Sequence, residues 1–301
     1  MAYKSGRVAL IGKPNAGKST LLNQIVGQKV SIVSNKAQTT RKRVVGILTT
    51  DEFQIAFVDT PGVHEPHTRL GRAMVEAART SLSDVDLIVF VADGSKRPDE
   101  DDAEIIRMVQ SVPKPKQVPV LVCINKMDRL RPEHVQKTVD HYVNALGAVD
   151  FMLTTALDGT NVDKLVGQIV ERLPEGPPLY DPDDFTDQSA RFMAAELVRE
   201  KILNATKQEV PHATAVVVEA WEEPEDPTGV LAISASIIVE KQSQKAILIG
   251  HQGRFIKTIG TKARQEIEEL LGRKVYLELF VKVREGWRMN PRMLQELEYL
   301  D

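Results

Sequence analysis

The residues Gly12-Lys13-Pro14-Asn15-Ala16-Gly17-Lys18-Ser19 fit the pattern G-x-x-x-x-G-K-[ST], directly after an apolar run and at the head of a helical one. Glycines let the backbone curl so that successive amide hydrogens converge on phosphate oxygens. The N-terminus of the following helix adds partial positive charge, and Lys18 brings a point charge to the β and γ phosphates. Ser19 is the expected Mg²⁺ ligand, and Thr20 beside it completes the cradle. At average residue usage the four fixed positions recur by accident in roughly one chain in a hundred of this length. The strand before and helix after lower that further, so a chance glycine turn is rejected.

Two more short stretches complete a chemistry. Asp59-Thr60-Pro61-Gly62 closes the third apolar run, where an aspartate can hold Mg²⁺ through water and the Gly62 amide can sense a γ-phosphate. Alone it would be an ordinary turn; about forty residues after the phosphate loop it reads better as its partner. Asn125-Lys126-Met127-Asp128 closes the fifth run. A carboxylate only accepts hydrogen bonds, and guanine offers Asp128 its N1–H and exocyclic amine, whereas adenine presents a bare acceptor at N1. A site built on such bonds rejects the mismatched base by roughly 10⁴–10⁵-fold. The competing account makes Asp128 the N-cap of the helix that follows. With the phosphate loop upstream, guanine recognition is preferred.

These loops need a scaffold. Val8–Ile11, Ile55–Val58, Leu87–Val91 and Val120–Ile124 are near-continuous apolar runs, as in strands covered on both faces of a mostly parallel sheet. Helical patterns lie near 17–26, 68–82, 99–111, 131–146 and 161–172. A less apolar strand at 43–50 joins the next through Asp51-Glu52, which reads as an antiparallel hairpin at one edge. The expected fold is α/β, a six-stranded mostly parallel sheet, and ligands belong at the carboxyl ends of its strands. Residues 1–173 form this domain. Residues 174–186, rich in proline and acid, read as a spacer holding its ends apart. Residues 187–301 form a second, α+β domain: helix 187–207, strands 213–222 and 230–241, helices 243–249 and 254–271, strand 274–284, and a last helix over 291–299.

The 301 residues carry 39 basic and 42 acidic side chains, a net charge of -3, so a chain-wide polycationic grip on nucleic acid is excluded and any basic face is local. Residues 241–288 supply one, with eleven basic side chains against five acidic. Within them Gly250-His251-Gln252-Gly253 places G-x-x-G between two helices, followed by Arg254 and Lys257. The single cysteine, Cys123, can form no internal disulfide, no apolar run nears membrane-spanning length, and the first residues lack a signal-peptide core. A soluble, cytosolic protein is therefore expected. Trp221 and Trp287 read as packing residues rather than stacking platforms.

In this order the three nucleotide motifs resemble those of translation-factor-class GTPases. That class usually closes its base site with Ser-Ala; here Leu153-Thr154-Thr155-Ala156-Leu157 carries Thr155-Ala156, which keeps the hydroxyl. Val63 stands where Ras-like GTPases have a water-orienting glutamine, and an apolar side chain cannot position water. No side-chain base is assigned, and Lys18 and Thr40 are left as the catalytic candidates. Members sharing the apolar residue carry an asparagine in the phosphate loop. The resemblance implies that Asn15 helps bind K⁺ against the phosphates; the plainer account is that Asn15 shapes the loop. By the same resemblance Thr40 of Gln38-Thr39-Thr40-Arg41 is the Mg²⁺ ligand of the first switch, with Thr39 as the alternative. The second switch spans 63–79, where His64 and His67 read as solvated loop histidines.

The G-x-x-G segment, with a strand pair before and a strand after it, resembles a type II KH fold. Such a loop brings backbone close to about four single-stranded nucleotides. KH loops here commonly carry lysine inside the motif, where this chain has His251 and Gln252. A GTPase domain, an acidic proline-rich connection and a type II KH domain together resemble the Era family of bacterial ribosome-assembly GTPases. Lys36-Ala37-Gln38-Thr39-Thr40-Arg41, Arg191–Glu196, Arg199–Ile202 and Leu277–Val283 carry that resemblance. It implies GTP, GDP and Mg²⁺ as ligands, slow hydrolysis, and binding near the 3′ end of 16S ribosomal RNA in small-subunit assembly. It further implies a monomer with no DNA partner, cytoplasmic, with peripheral inner-membrane contact also a family trait. No lipidation motif or basic amphipathic anchor accounts for that contact. Two rival functions remain: an RNA-binding scaffold using GTP as a structural ligand, and a GTPase of transfer-RNA modification or membrane signalling.

Overall fold

The computed structural model describes residues 2–63, 65–111, 118–226 and 228–300. It divides into two compact units, Met1–Val33, Ala37–His67 and Gly71–Asp187 in one, and Ser34–Lys36, Thr68–Leu70 and Gln188–Asp301 in the other.

In the first unit the apolar runs become β1 (Lys4–Ile11), β3 (Phe53–Asp59), β4 (Leu87–Asp93) and β5 (Val120–Asn125), joined by β2 (Val44–Thr49) and β6 (Asp150–Leu153). The sheet order is β2-β3-β1-β4-β5-β6, with every pairing parallel except β2 with β3. β1 lies between β3 and β4, so the chain reverses its direction of travel across the sheet there. The loop leaving β1 sits at that switch point, where open α/β sheets bind ligands. Helices α1 (Lys18–Val26), α2 (Arg69–Thr80), α3 (Glu100–Ser111), α4 (Val135–Leu146) and α5 (Val162–Arg172) follow the expected order. β4 and β5 are buried along their whole length. Ile88, Phe90, Val122 and Tyr142 are central to the core beside them. Cys123 is buried in β5, and burial pushes its thiol up to about 12, which leaves it inert.

Residues 174–186 are no spacer. The Pro174 carbonyl accepts from the Ser5 amide, and the Gly176 amide donates to Tyr3. The amides of Leu179 and Tyr180 donate to buried Gln54 Oε1 at 2.6 and 2.9 Å. Further on, the Phe185 carbonyl accepts from the Ile47 amide, and Thr186 Oγ1 donates to the Val45 carbonyl. Proline content removes donors but leaves carbonyls and the intervening amides free to pair. The open edge of β2 supplied partners that composition cannot reveal.

The second unit comprises α6 (Ala190–Ala205), β7 (Ala215–Glu222), β8 (Leu231–Val239), α7 (Gln242–Ile249), α8 (Arg254–Leu271), β9 (Val275–Val283) and α9 (Pro291–Glu296). β7 runs antiparallel and β9 parallel to central β8. Val198, Ile202, Ile233, Ile237, Ile259, Ile267 and Val281 pack between helices and sheet. Trp287 is fully buried with its indole donating to the Ala213 carbonyl, while Trp221 packs at the margin of the core, so both are packing residues. No helix among the described residues is long and apolar enough to cross a membrane.

Candidate functional site

β1 delivers Gly12 to the crevice, and the loop turns through two left-handed residues, Asn15 and Gly17. Gly17 has φ 100°, and any side chain there would run into the Asn125 amide, so glycine is required twice over. α1 opens at Lys18 without a side-chain cap, which leaves its first N–H groups to the loop and its ligand. Lys18 is buried and donates from its ammonium to the carbonyls of Gly12 and Lys13, 3.0 Å each. Burial pushes its pKa down to about 8 against the pull of Asp59.

Asp59 ends β3, fully buried. Its Oδ2 accepts from Ser19 Oγ at 2.7 Å, Ser31 Oγ at 3.0 Å and Thr40 Oγ1 at 3.3 Å, and Ser19 and Thr40 are 2.9 Å apart. Its Oδ1 is buried and accepts no hydrogen bond. Burial pushes the carboxyl pKa up, against Lys18 and the three hydroxyls. An all-oxygen set of two hydroxyls and a carboxylate with one uncommitted oxygen suits a small hard cation such as Mg²⁺, which keeps several waters. Of the two candidate threonines, Thr40 belongs to this cluster. Thr60 anchors the strand end by donating to the Leu10 carbonyl at 2.8 Å, and Gly62 packs closely on Pro14. Pro61 and Val63 are buried, and Val63 belongs to the same core cluster as Ala78 and Leu82.

At the base end Asn125 is the junction. Its Nδ2 donates to the Ala16 carbonyl at 2.9 Å, while its Oδ1 accepts from the Ala156 amide at 2.9 Å and Thr154 Oγ1 at 3.3 Å. Lys126 Nζ reaches the Asn15 carbonyl at 2.6 Å and Asp93 at 2.7 Å. Burial pushes Asp93 up, but the Lys126 ammonium and the Ser95 hydroxyl outweigh it and hold the carboxyl below its ordinary value. Asp128 sits half-exposed on the tight turn Met127–Arg129, 3.5 Å from Thr155 Oγ1. It caps no helix: α4 begins only at Val135, after a second tight turn at Pro132–His134. That disposes of the N-cap account.

Lys13 differs from expectation. Its ammonium lies on Asp99 at 2.9 Å and Asp102 at 2.6 Å rather than over the loop. Four residues escaped the sequence reading: Ser31 and Thr154, which bond Asp59 and Asn125; Asp93, which anchors Lys126; and Asn161, which donates to the Leu153 carbonyl at 2.9 Å. Asp93 had a signal, because it ends an apolar run as Asp59 does. Serine and threonine in mixed polar stretches had none. In the second switch, His67 is exposed; His64 lies outside the described residues.

In the second unit, Gly250 turns the chain out of α7 with φ 71°, where a side chain would collide with Phe255. Gln252 and Gly253 are also left-handed, and His251, Gln252, Arg254 and Lys257 are exposed. The local basic excess is smaller than composition implied. Lys282, Arg273 and Arg288 pair with Glu219, Glu223 and Glu240, acids outside the counted window, while Arg264 and Lys274 share Glu268. Among the described residues, Lys241, Lys245, Arg254, Lys257 and Lys262 make no ion pair, and all lie on or beside α7, α8 and the turn between them.

Two family models match the chain: a 50S ribosome-binding GTPase family over residues 7–126 and a KH domain family over 209–288. The chain is 44% identical to the GTPase Era of Heliobacterium modesticaldum over 296 residues, 98% of this chain and 97% of that protein. It superposes with a TM-score of 0.93 and 43% identity on a crystal structure of Era with MgGDPNP and nucleotides 1506–1542 of 16S ribosomal RNA, covering 99% of this chain and 100% of that one. A variant of Aquifex aeolicus Era bound to GDP·AlF4⁻ gives 0.92 and 43%, with the same coverage.

The lowered Lys18 pKa carries a sign. Between about 8 and the ordinary value of 10.5 the unfolded chain binds the extra proton. The stability of the ligand-free protein therefore gains a rising contribution from Lys18 across that window. Thermal melts from pH 7.5 to 9.5 should show a more positive slope of Tm for the wild type than for Lys18→Met. Parallel slopes would contradict it.

Proposed function

The chain belongs to the Era family of GTPases, and we propose that it is a slow, Mg²⁺-dependent GTP-hydrolysing switch that binds the 3′ end of 16S ribosomal RNA during small-subunit assembly in the cytoplasm. The side chain of Asn125 carries this reading. It ties the phosphate loop at Ala16 to the base loop at Ala156, so the groups for triphosphate and for guanine share one frame.

In this reading the loop amides of residues 12–17 and the α1 N-terminus receive the phosphates, and Lys18 leaves its carbonyls for the β and γ oxygens. Ser19 and Thr40 would hold Mg²⁺ directly and Asp59 through water; the uncommitted Asp59 Oδ1 supports that assignment. Mg²⁺ held there would offset the negative charge that develops on the phosphate oxygens. Thr40 reports the γ-phosphate to the first switch and Gly62 to the second. Asp128 accepts from guanine N1–H and N2–H₂, with Thr155 beside it. Val63 contributes no water-positioning group. Asn15, exposed in the loop, would help place K⁺ against the phosphates in the manner of an arginine finger. RNA backbone approaches the Gly250–Gly253 turn, with Arg254 and Lys257 for its phosphates and α7 and α8 alongside.

Asp128→Asn exchanges an acceptor pair for a donor and should transfer preference from guanine to xanthine nucleotides. Retained guanine preference in a competition assay would refute the base assignment. Turnover should be faster in KCl than in NaCl, and Asn15→Ala should erase the difference; equal wild-type rates would remove K⁺. Replacing His251 and Gln252 together by aspartate should weaken binding of a 3′-end 16S oligonucleotide by tenfold or more while leaving GTP affinity unchanged. Undiminished RNA binding would move the interface elsewhere.

A further inference from the structure

Resting on the nucleotide-binding reading, we propose that Lys13 is a positioning residue that sets the affinity of the phosphate loop through its own carbonyl, without its ammonium touching the nucleotide. Its Nζ is 2.6 Å from Asp102 and 2.9 Å from Asp99, and the side chain is almost wholly buried. Asp99 and Asp102 are committed to each other's backbone: the Asp99 amide donates to Asp102 Oδ2 at 3.1 Å and the Asp102 amide to Asp99 Oδ1 at 3.3 Å. This reciprocal arrangement is a capping box at the head of α3. Tyr142 on α4, buried against Phe90, lies in the field of the same carboxylates: burial first, then Asp102 and Asp99, pushes its hydroxyl pKa up. The carboxylates that receive Lys13 are thus fixed by backbone amides at the head of α3.

The consequence falls on Lys18. One of the two carbonyls on which its ammonium rests belongs to Lys13. Pinning the Lys13 side chain to α3 fixes the peptide plane that orients this carbonyl, and with it the seat from which Lys18 reaches a phosphate. Lys126 holds the other side of the loop through the Asn15 carbonyl. The loop is therefore stapled at its second and fourth residues. Burial alone would lower the Lys13 pKa; Asp102 and then Asp99 reverse this, so the ammonium keeps its charge.

This assignment and direct phosphate contact predict opposite signs. If Lys13 acted on phosphates, removing its competitor with Asp102→Asn would free the cation and tighten GDP binding. As a positioning residue, it should let GDP dissociate faster in Asp102→Asn, on the order of ten- to a hundredfold, the range for a lost buried charged hydrogen bond. Lys13→Met should behave alike, the double variant should add little to either single change, and Lys13→Arg should restore the rate to within about threefold. Fluorescent-GDP stopped flow reads all four, with thermal melts alongside. Tighter binding in Asp102→Asn, full additivity, or no rescue by arginine would overturn the assignment. If Asp102→Asn does not fold, Asp99→Asn, which removes the second carboxylate on the Lys13 ammonium, carries the same test of sign. Failure of the wild type to bind GDP would strike the functional reading instead.

Discussion

A fully buried ammonium and a fully buried carboxylate, Lys18 and Asp59, face each other across the crevice at the end of β1, and the first unit is organised to keep both dry. Each is pushed toward its neutral form by burial and held back by the other. Neither would be tolerated in an ordinary core, where an isolated charge is among the most costly groups to bury. Here the cost is offset locally: two backbone carbonyls take the lysine, and three hydroxyls take one oxygen of the aspartate. The oxygen left over is the atom around which the metal reading turns. Charge held this way is already in place, so Lys18 has only to exchange its two carbonyls for phosphate oxygens when a triphosphate arrives.

Rigidity around that pair comes from side chains that bond backbone rather than each other. Asn125 ties the loops at Ala16 and Ala156, Lys126 holds the Asn15 carbonyl, Lys18 the carbonyls of Gly12 and Lys13. Such bonds fix peptide planes, which is what a site reading phosphate through amides requires. The two acidic anchors, Asp93 and Asp102, are almost completely buried, so their lysines cannot wander to solvent. The binding groups are thus distributed over the ends of β1, β3, β4 and β5, and a change in any of these loops reaches the others through one or two hydrogen bonds.

The second unit works with different physics. Its turn between α7 and α8 stays exposed and carries no buried charge. What it offers is an exposed turn cornered by Gly250 and Gly253, and lysines and Arg254 that, among the described residues, make no ion pair. Counting charges along 241–288 overstated this face, because Glu219, Glu223 and Glu240 fold back onto it from outside the window. Pairing between distant strands is invisible to composition.

Motif spacing, apolar runs and turn residues by themselves determined the phosphate loop, the aspartate ending β3, the base-reading tetrapeptide, the sheet with its antiparallel edge, and the helix-turn-helix with glycines at its corners. These are local: they depend on backbone conformations and burial patterns that neighbouring residues dictate. Tertiary structure alone decided that Thr40 rather than Thr39 meets Ser19 and Asp59, that Lys13 turns to α3, that Ser31 and Thr154 support the site, and that 174–186 lies along β1, β2 and β3. Each of these is a choice among equally competent polar partners. Only the three-dimensional distances between chain segments, set by how the sheet stacks its strands, determine which partner is within hydrogen-bonding reach.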